Sequence, residues 1–231
     1  MVTRASVFRR KFGRTITCIV LVLVSSIGLY KLSTRLFYIQ TIEVIGQGVD
    51  VHIDGTRISR NLLFFPAEKL RARVLLDNPL LSDVQFQKKY PHTLRIIPMV
   101  RTPFVRLQTL DRLTLLDRSG IVLTDGDNGL PLPILAFSIP AIRVGEAIMD
   151  ARVKQALAFI EGARSFLPIE SITEIEGGYL QAKTGKTDIF FPQDRQVGDI
   201  LATLQTLMTG VRIKGTLPAV VDLRFDKPII K

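Results

Sequence analysis

The sequence predicts an α+β protein in three parts: an N-terminal single transmembrane helix, a small domain with the element order β-α-α-β-β, and a β-rich α+β domain. Three observations support this fold class. An apolar run without charge lies near the N-terminus, helical and alternating patterns are mixed in the segment that follows, and most of the remaining chain alternates between apolar and polar residues. The predicted parts are a basic tail at 1–14, the transmembrane helix at 15–36, the small domain at 37–105 and the β-rich domain at 106–231.

The apolar run between Arg14 and Lys31 reads TITCIVLVLVSSIGLY and carries no charge. Together with the apolar residues that follow Lys31, it is long enough to cross a bilayer, which takes about 20 residues. A cleaved signal peptide is the alternative. However, the run is longer than a usual signal core, and no small-x-small cleavage pattern precedes the folded part. We therefore expect an uncleaved membrane anchor.

Basic residues cluster before the apolar run. Five of the first 14 residues are basic and none is acidic, whereas only Lys31 and Arg35 follow the run closely. Because positively charged flanks stay in the cytoplasm, we expect a cytoplasmic N-terminus and extracytoplasmic domains. The rest of the chain has 26 basic and 21 acidic residues, which gives no reason to expect a nucleic-acid partner. The one cysteine, Cys18, lies in the run, so no disulfide is expected outside the membrane.

Residues 38–45 of the small domain alternate between apolar and polar side chains and predict a strand. The stretch 49–59 fits either a short strand or a helix. Pro66 suits the first position of a helix, whose apolar face continues from Ala67 until Asn78–Pro79 stops it. With both helices on one face of a small mixed sheet, the domain would be an α+β layer arrangement.

Two alternating runs, Val84–Tyr90 and Thr93–Arg101, flank a Tyr-Pro pair and predict a hairpin. Pro98 lies inside the second run. Because proline cannot donate a hydrogen bond to a sheet ladder, we expect this strand to lie at an edge or to bulge at Pro98.

The remaining chain predicts mainly strands. Asp117 and Gly120 suit the first and last positions of a type I turn between two apolar runs. Helical periodicity returns at 151–166 and at 197–208. Other strands are predicted at 172–175, 179–184, 187–191 and 220–225, with a tight turn at Gly185–Lys186.

The order of these parts and several of their motifs resemble the FtsQ/DivIB family of bacterial cell-division proteins. The motifs are FYIQTIEVIG (37–46), the stretch 61–96 that ends in KKYPHTLRI, LLDRSGIVLTD (115–125), LPLPIL (130–135) and VVDLRFDKPII (220–230). The resemblance covers nearly all of the chain and implies that the small domain is a POTRA domain. The sequence departs from the family pattern at the hairpin, where Pro98 and Val100 replace the usual Val and Glu.

By this resemblance we expect a non-catalytic scaffold of the bacterial divisome, placed in the cell membrane at the division septum. The last strands of its β-rich domain would hold a membrane-anchored coiled-coil pair of the FtsB/FtsL type and so help control septal peptidoglycan synthesis. Other divisome members would be further partners. The candidate partner-binding residues are Val220, Val221, Asp222, Leu223, Arg224 and Phe225, and the candidate contact residues of the hairpin are Lys88, Tyr90, Pro91, Leu94 and Arg101.

The closing strand could bind such a partner by strand addition. At a sheet edge it would present unpaired backbone donors and acceptors, to which a partner segment can add as a further strand. The residues alone leave open that this strand lies inside the sheet and only stabilises it. Lys227–Lys231 is a further candidate contact, although Pro228 limits growth of the ladder.

The sequence carries no pattern typical of catalysis, so we expect no enzyme, cofactor, metal or small-molecule substrate. His52 and His92 lie in strand or turn contexts, and DGDNG (125–129) is a poor calcium loop because Leu130 stands where such loops need Gly. The main alternative is a POTRA-type chaperone or secretion component that handles extended polypeptides. A membrane-anchored hydrolase would need a convergent polar pocket.

Overall fold

The computed structural model describes residues 4–46, 60–110, 112–126, 129–140, 142–214, 218–225 and 227–231. The protein is α+β, with one apolar N-terminal helix and a body rich in sheet. The chain divides into two compact units, 1–99 and 100–231. The domain boundary that we place between 105 and 106 stays a prediction. The expected strand or helix at 49–59 lies outside the described residues, as do His52 and the two central residues of DGDNG.

Helix α1 spans Arg4–Leu36 and includes the predicted apolar run. Its 33 residues correspond to about 50 Å at 1.5 Å per residue, which exceeds the roughly 30 Å of a bilayer's hydrocarbon core. The stretch Ile19–Leu36 is apolar enough to span a membrane and is not buried by any other part of the described chain. The helix is therefore consistent with a single-pass membrane protein.

The first unit contains a three-stranded sheet. Its elements are β1 at Thr41–Val44, α2 at Ala67–Asp77, β2 at Leu81–Lys89 and β3 at Thr93–Val100. The strands lie in the order β1-β3-β2, and α2 packs against β2. Their apolar faces form one core, which consists of Phe65, Val74, Leu81, Val84, Leu94 and Ile96. The hairpin and α2 agree with the sequence patterns.

Pro98 does not place β3 at an edge, so that expectation is wrong for the strand as a whole. β3 is the middle strand, and β1 runs parallel to it with Val44 opposite Ile96. The last bond on this side is donated by the Ile45 N–H to the Ile96 carbonyl, at 2.8 Å. Because β1 ends before it reaches Pro98, the missing N–H of the proline leaves no ladder bond unmade on that side.

The second unit is built on a nine-stranded sheet. Its strands are β4 (Val105–Gln108), β5 (Leu113–Leu116), β6 (Val122–Asp125), β7 (Ile134–Ala136), β8 (Ser171–Ile175), β9 (Tyr179–Thr184), β10 (Thr187–Pro192), β11 (Val220–Asp222) and β12 (Ile229–Ile230). They lie in the order β12-β11-β10-β9-β8-β7-β4-β5-β6. The pairs β4/β7, β7/β8 and β10/β11 are parallel, and the other described pairs are antiparallel.

Two helices connect parallel neighbours of this sheet. Helix α3 (Ala151–Ala163) lies between β7 and β8 in the chain, and α4 (Val197–Lys214) lies between β10 and β11. Both contribute to a single apolar core with the inward side chains of the strands, and Phe159 of α3 stacks on Phe191 of β10 with ring centroids 4.3 Å apart. The alternating burial along β9 and β10 shows that one face of these strands is covered by the helices.

The predicted turn at Asp117–Gly120 is present. The Gly120 N–H donates to the Asp117 carbonyl, and Gly120 adopts a positive φ of 79°, which glycine tolerates best. The Asp117 carboxylate accepts from the N–H groups of Ser119 and Ile121, and the Arg101 guanidinium donates to its other oxygen at 2.6 Å. The turn is thereby held by a buried, fully engaged carboxylate.

Replacing Gly46 with alanine should destabilise the first unit. A Cβ at this position would lie 2.9 Å from Cγ of Pro98, a ring atom that cannot rotate away. We expect a loss of about 1–3 kcal/mol in the free energy of unfolding, measured by urea titration of the detergent-solubilised chain. Gly210→Ala is the control, because its Cβ would meet no atom within 4 Å; it should gain up to about 1 kcal/mol from helix propensity. Equal stability of Gly46→Ala and wild type would contradict the packing described here.

Candidate functional site

The two edges of the nine-stranded sheet differ in what covers them. At the β6 edge, the chain covers itself: the Val122 N–H donates to the Glu146 carbonyl, and the Gly145 N–H donates to the Val122 carbonyl, at 3.0 and 2.8 Å. The Ile148 N–H adds a bond to the Gly120 carbonyl at 2.9 Å. Within the described ranges, no segment pairs with the outer side of β12. The open edge is therefore at β12.

The hydrogen-bond register fixes which backbone groups of β12 point outward. Val220 and Lys231 exchange two hydrogen bonds of 3.0 Å, and Val221 lies opposite Ile230. Because hydrogen-bonded and non-hydrogen-bonded pairs alternate in an antiparallel ladder, the N–H and C=O of Ile230 face away from β11. Pro228, two residues earlier, has no N–H to offer. The free edge thus consists of one donor and one acceptor on Ile230, beside the Pro228 carbonyl.

The closing strand itself is not at the edge. β11 covers only Val220–Asp222 and lies between β10 and β12, so the edge position expected for the closing strand is wrong and the alternative of an interior strand holds. Val221 and Leu223 are buried in the core, whereas Phe225 is exposed. Just after the strand, the Leu223 N–H still donates to the Phe190 carbonyl at 2.7 Å, and the Asp222 carboxylate accepts the Arg224 N–H at 3.1 Å.

Arg224 is held in a fixed position on the sheet face opposite the helices. Its guanidinium donates to both oxygens of Asp222, from Nε at 2.9 Å and from Nη2 at 2.6 Å. It also lies over three aromatic rings, at 5.1 Å from the Tyr179 centroid, 5.4 Å from Phe190 and 5.7 Å from Phe225. We call Tyr179, Phe190, Arg224 and Phe225 the Arg224 patch.

The paired charge of Asp222 holds the Arg224 guanidinium in one orientation. Hydrogen bonds from the Arg224 guanidinium lower the pKa of the Asp222 carboxyl below its usual value, although burial opposes this shift. Asp222 is only 7% exposed, so its charge is paired and only weakly solvated. A guanidinium fixed above aromatic rings presents a flat, positively charged surface, which suits acidic and aromatic side chains of a partner.

The candidate residues of the hairpin do not form one surface. Lys88, Tyr90 and Pro91 lie at its tip, where the Lys88 ammonium donates to the Leu63 carbonyl at 3.3 Å. Leu94 is fully buried in the core of the first unit, so it can support the hairpin but cannot contact a partner. Arg101 lies in the second unit, where its guanidinium pairs with Asp117.

Groups that could do chemistry are dispersed in the described part of the chain. His92 is half-buried with Nδ1 3.2 Å from the Tyr38 carbonyl oxygen. No group of three or more His, Cys, Asp or Glu side chains among the described residues could hold a metal ion. A groove of about 570 Å³ in the second unit is lined mainly by proline and isoleucine side chains. Of its charged groups, Arg106 donates to the Leu132 carbonyl, Glu170 accepts from the Gly185 N–H, and the Arg164 guanidinium lies 6.0 Å from the Phe104 ring centroid.

Two members of the Arg224 patch were missed from the sequence. Tyr179 and Phe190 are far from Arg224 in the chain, and the structure brings them together because β9, β10 and β11 are neighbours. Their positions opposite the buried residues Leu180 and Phe191 in the period-2 pattern were the available signal.

No protein-family model matches this chain, and no curated protein sequence matches it. The site is therefore interpreted from its own geometry and from the motifs of the sequence.

Asp222→Asn should destabilise the second unit and weaken its pH dependence. A depressed pKa in the folded state stabilises the protein fully above the unfolded pKa, about 4, and this contribution is lost as the pH falls through the folded pKa. We expect a loss of about 1.5–3 kcal/mol at neutral pH, since a charged hydrogen-bonded pair is broken, and a flatter stability curve below about pH 5. Urea unfolding at several pH values measures both effects.

The matched control is Asp125→Asn, which removes the more exposed pair with Arg112 at 3.8 Å. Its effect should stay within about 1 kcal/mol, as for other surface pairs. If both variants lose the same stability with the same pH profile, Asp222 has no special role in holding the Arg224 patch.

Proposed function

We propose that this chain is a non-catalytic, single-pass membrane scaffold that binds a partner by adding a strand at β12. The observation that carries the proposal is the open edge, where the Ile230 N–H and C=O point outward. An extended partner segment would pair with these groups, and the Arg224 patch would contact side chains that follow the added strand. Backbone pairing supplies the affinity in this mode of recognition, and the neighbouring side-chain contacts supply the specificity.

The sequence motifs lead us to place this scaffold in the bacterial divisome, as a protein that resembles the FtsQ/DivIB family. The partner at β12 would be a membrane-anchored coiled-coil pair of the FtsB/FtsL type, and the complex would help control septal peptidoglycan synthesis. The apolar helix α1 supports a bitopic protein, with the basic tail in the cytoplasm, the chain that follows α1 outside and the whole protein at the division septum. The first unit, with its β1-β3-β2 sheet and α2, would be a POTRA-like domain that recruits other divisome members.

Ile230→Pro should abolish strand addition without unfolding the sheet. The substitution removes the outward N–H and leaves the bonds between Val220 and Lys231 available, and proline is tolerated where the N–H of an edge strand faces solvent. Ile230→Ala is the matched control, because it trims the side chain and keeps the donor. We expect the partner to be retained by the alanine variant and reduced about tenfold or more by the proline variant.

The test is co-purification of the tagged chain from gently solubilised native membranes, with circular dichroism to establish that both variants fold. Recovery of small single-span coiled-coil proteins with wild type and Ile230→Ala, but not with Ile230→Pro, supports the proposal. If such proteins are recovered equally with all three chains, the division role stands and β12 is not the site. If secreted polypeptides are recovered instead, the chain is a chaperone or secretion component that uses the same edge.

A further inference from the structure

The backbone that follows α1 is hydrogen-bonded to a segment that precedes α2. The Ile39 N–H donates to the Arg60 carbonyl at 2.9 Å, and the Leu62 N–H donates to the Phe37 carbonyl at 2.8 Å. A bridge between Tyr38 and Asn61 lies between these two bonds. The position of the segment 60–66 is therefore set by the chain that leaves the apolar helix.

This segment presents two adjacent large apolar side chains to the outside of the protein. Leu63 is 39% exposed and Phe64 is 63% exposed, whereas their neighbours Leu62 and Phe65 are buried. We call Leu63 and Phe64 the apolar tip. Adjacent exposed apolar side chains are typical of surfaces that contact another protein or a membrane.

The apolar helix indicates what covers the tip. The Phe64 ring lies 6.3 Å from the Tyr30 ring, and Tyr30 lies within the membrane-compatible stretch Ile19–Leu36. Tyr30 precedes the end of the helix by six residues, or about 9 Å. Phe64 therefore reaches back along α1 to the level of the apolar stretch instead of extending beyond its end.

The surroundings of the tip are those of a membrane interface. Tyr30, Tyr38 and Tyr90 are exposed aromatic residues with polar hydroxyls, the kind of side chain that concentrates at the level of lipid headgroups. The Lys88 ammonium lies beside the tip through its bond to the Leu63 carbonyl, and Lys31 and Arg35 are exposed on the last turns of α1. Such cations favour anionic headgroups.

We infer that the apolar tip inserts into the outer interface of the same bilayer that α1 crosses. The three-stranded sheet of the first unit would then be held at the membrane surface by a second, noncovalent contact in addition to its chain connection to α1. The ligand is the phospholipid bilayer itself, with anionic headgroups favoured by Lys31, Arg35 and Lys88. This inference rests on the single-pass topology in the proposed function.

Tryptophan fluorescence tests the inference directly, because the chain contains no tryptophan. Phe64→Trp is the reporter of the tip and Tyr30→Trp is the reference within the span. Leu76→Trp is the solvent reference, since Leu76 is 81% exposed near the end of α2, about 13.5 Å along the helix from its start at Ala67. The full 231-residue chain is reconstituted into vesicles of phosphatidylethanolamine and phosphatidylglycerol that contain lipids brominated at defined acyl positions.

We expect the emission of Phe64→Trp to shift to shorter wavelength and to be quenched most by bromine near the headgroup. Tyr30→Trp should also be quenched, and Leu76→Trp should show neither effect. If Phe64→Trp behaves like Leu76→Trp while Tyr30→Trp is quenched, the tip lies in water and the inference is wrong, although the topology stands. If Tyr30→Trp is not quenched either, the single-pass topology fails and the inference fails with it.

A shift of Phe64→Trp emission without lipid quenching would mean that protein covers the tip, and this also overturns the inference. Leu63→Trp reads the same site and replaces Phe64→Trp if circular dichroism shows that the latter is not folded.

Discussion

The backbone hydrogen bonds of the sheet edges are the constraint on which the proposed activity of this protein depends. Every strand inside the nine-stranded sheet has neighbours on both sides, and at the β6 edge the segment around Gly145–Ile148 bonds to Gly120 and to Val122. On the β12 side of this sheet, the backbone donor and acceptor of Ile230 have no partner in the described chain. Since an unpaired strand edge attracts other chains, the outward donor and acceptor of Ile230 suit β12 for strand addition.

The short β12 is available because β11 stops early. Asp222 binds the Arg224 backbone and side chain just after the strand, and the chain then returns to pair with Val220–Asp222 from the outside. The same carboxylate fixes the guanidinium above three aromatic rings. One aspartate thus binds the backbone just after β11 and orients the cation above these rings.

Local sequence patterns predicted many of the elements of this fold. The features that they did not predict depend on pairing between strands that are far apart in the chain. The hairpin of the first unit, the turn at Asp117, α3 and α4 follow from periodicity and turn chemistry within a few residues of each other. β3 lies between β1 and β2 because it pairs in parallel with β1, which is about 50 residues away in the chain. Pro98 is a local signal that does not report this pairing, so the edge position predicted from it was wrong. For the same reason, the sequence predicted a site at Val220–Phe225 but not the pairing of β12 with the outer side of β11. It also did not predict that the rings of Tyr179 and Phe190 lie close to the Arg224 guanidinium.

Amide hydrogen exchange at Ile230 tests the central claim most directly. In the isolated chain, the Ile230 amide should exchange rapidly, whereas the Val221 amide, inside the sheet between β10 and β12, should be protected. Addition of the proposed coiled-coil partner should protect Ile230 and leave Val221 unchanged. If Ile230 is already protected in the isolated chain, or if it still exchanges rapidly in a saturated complex, strand addition at β12 does not occur.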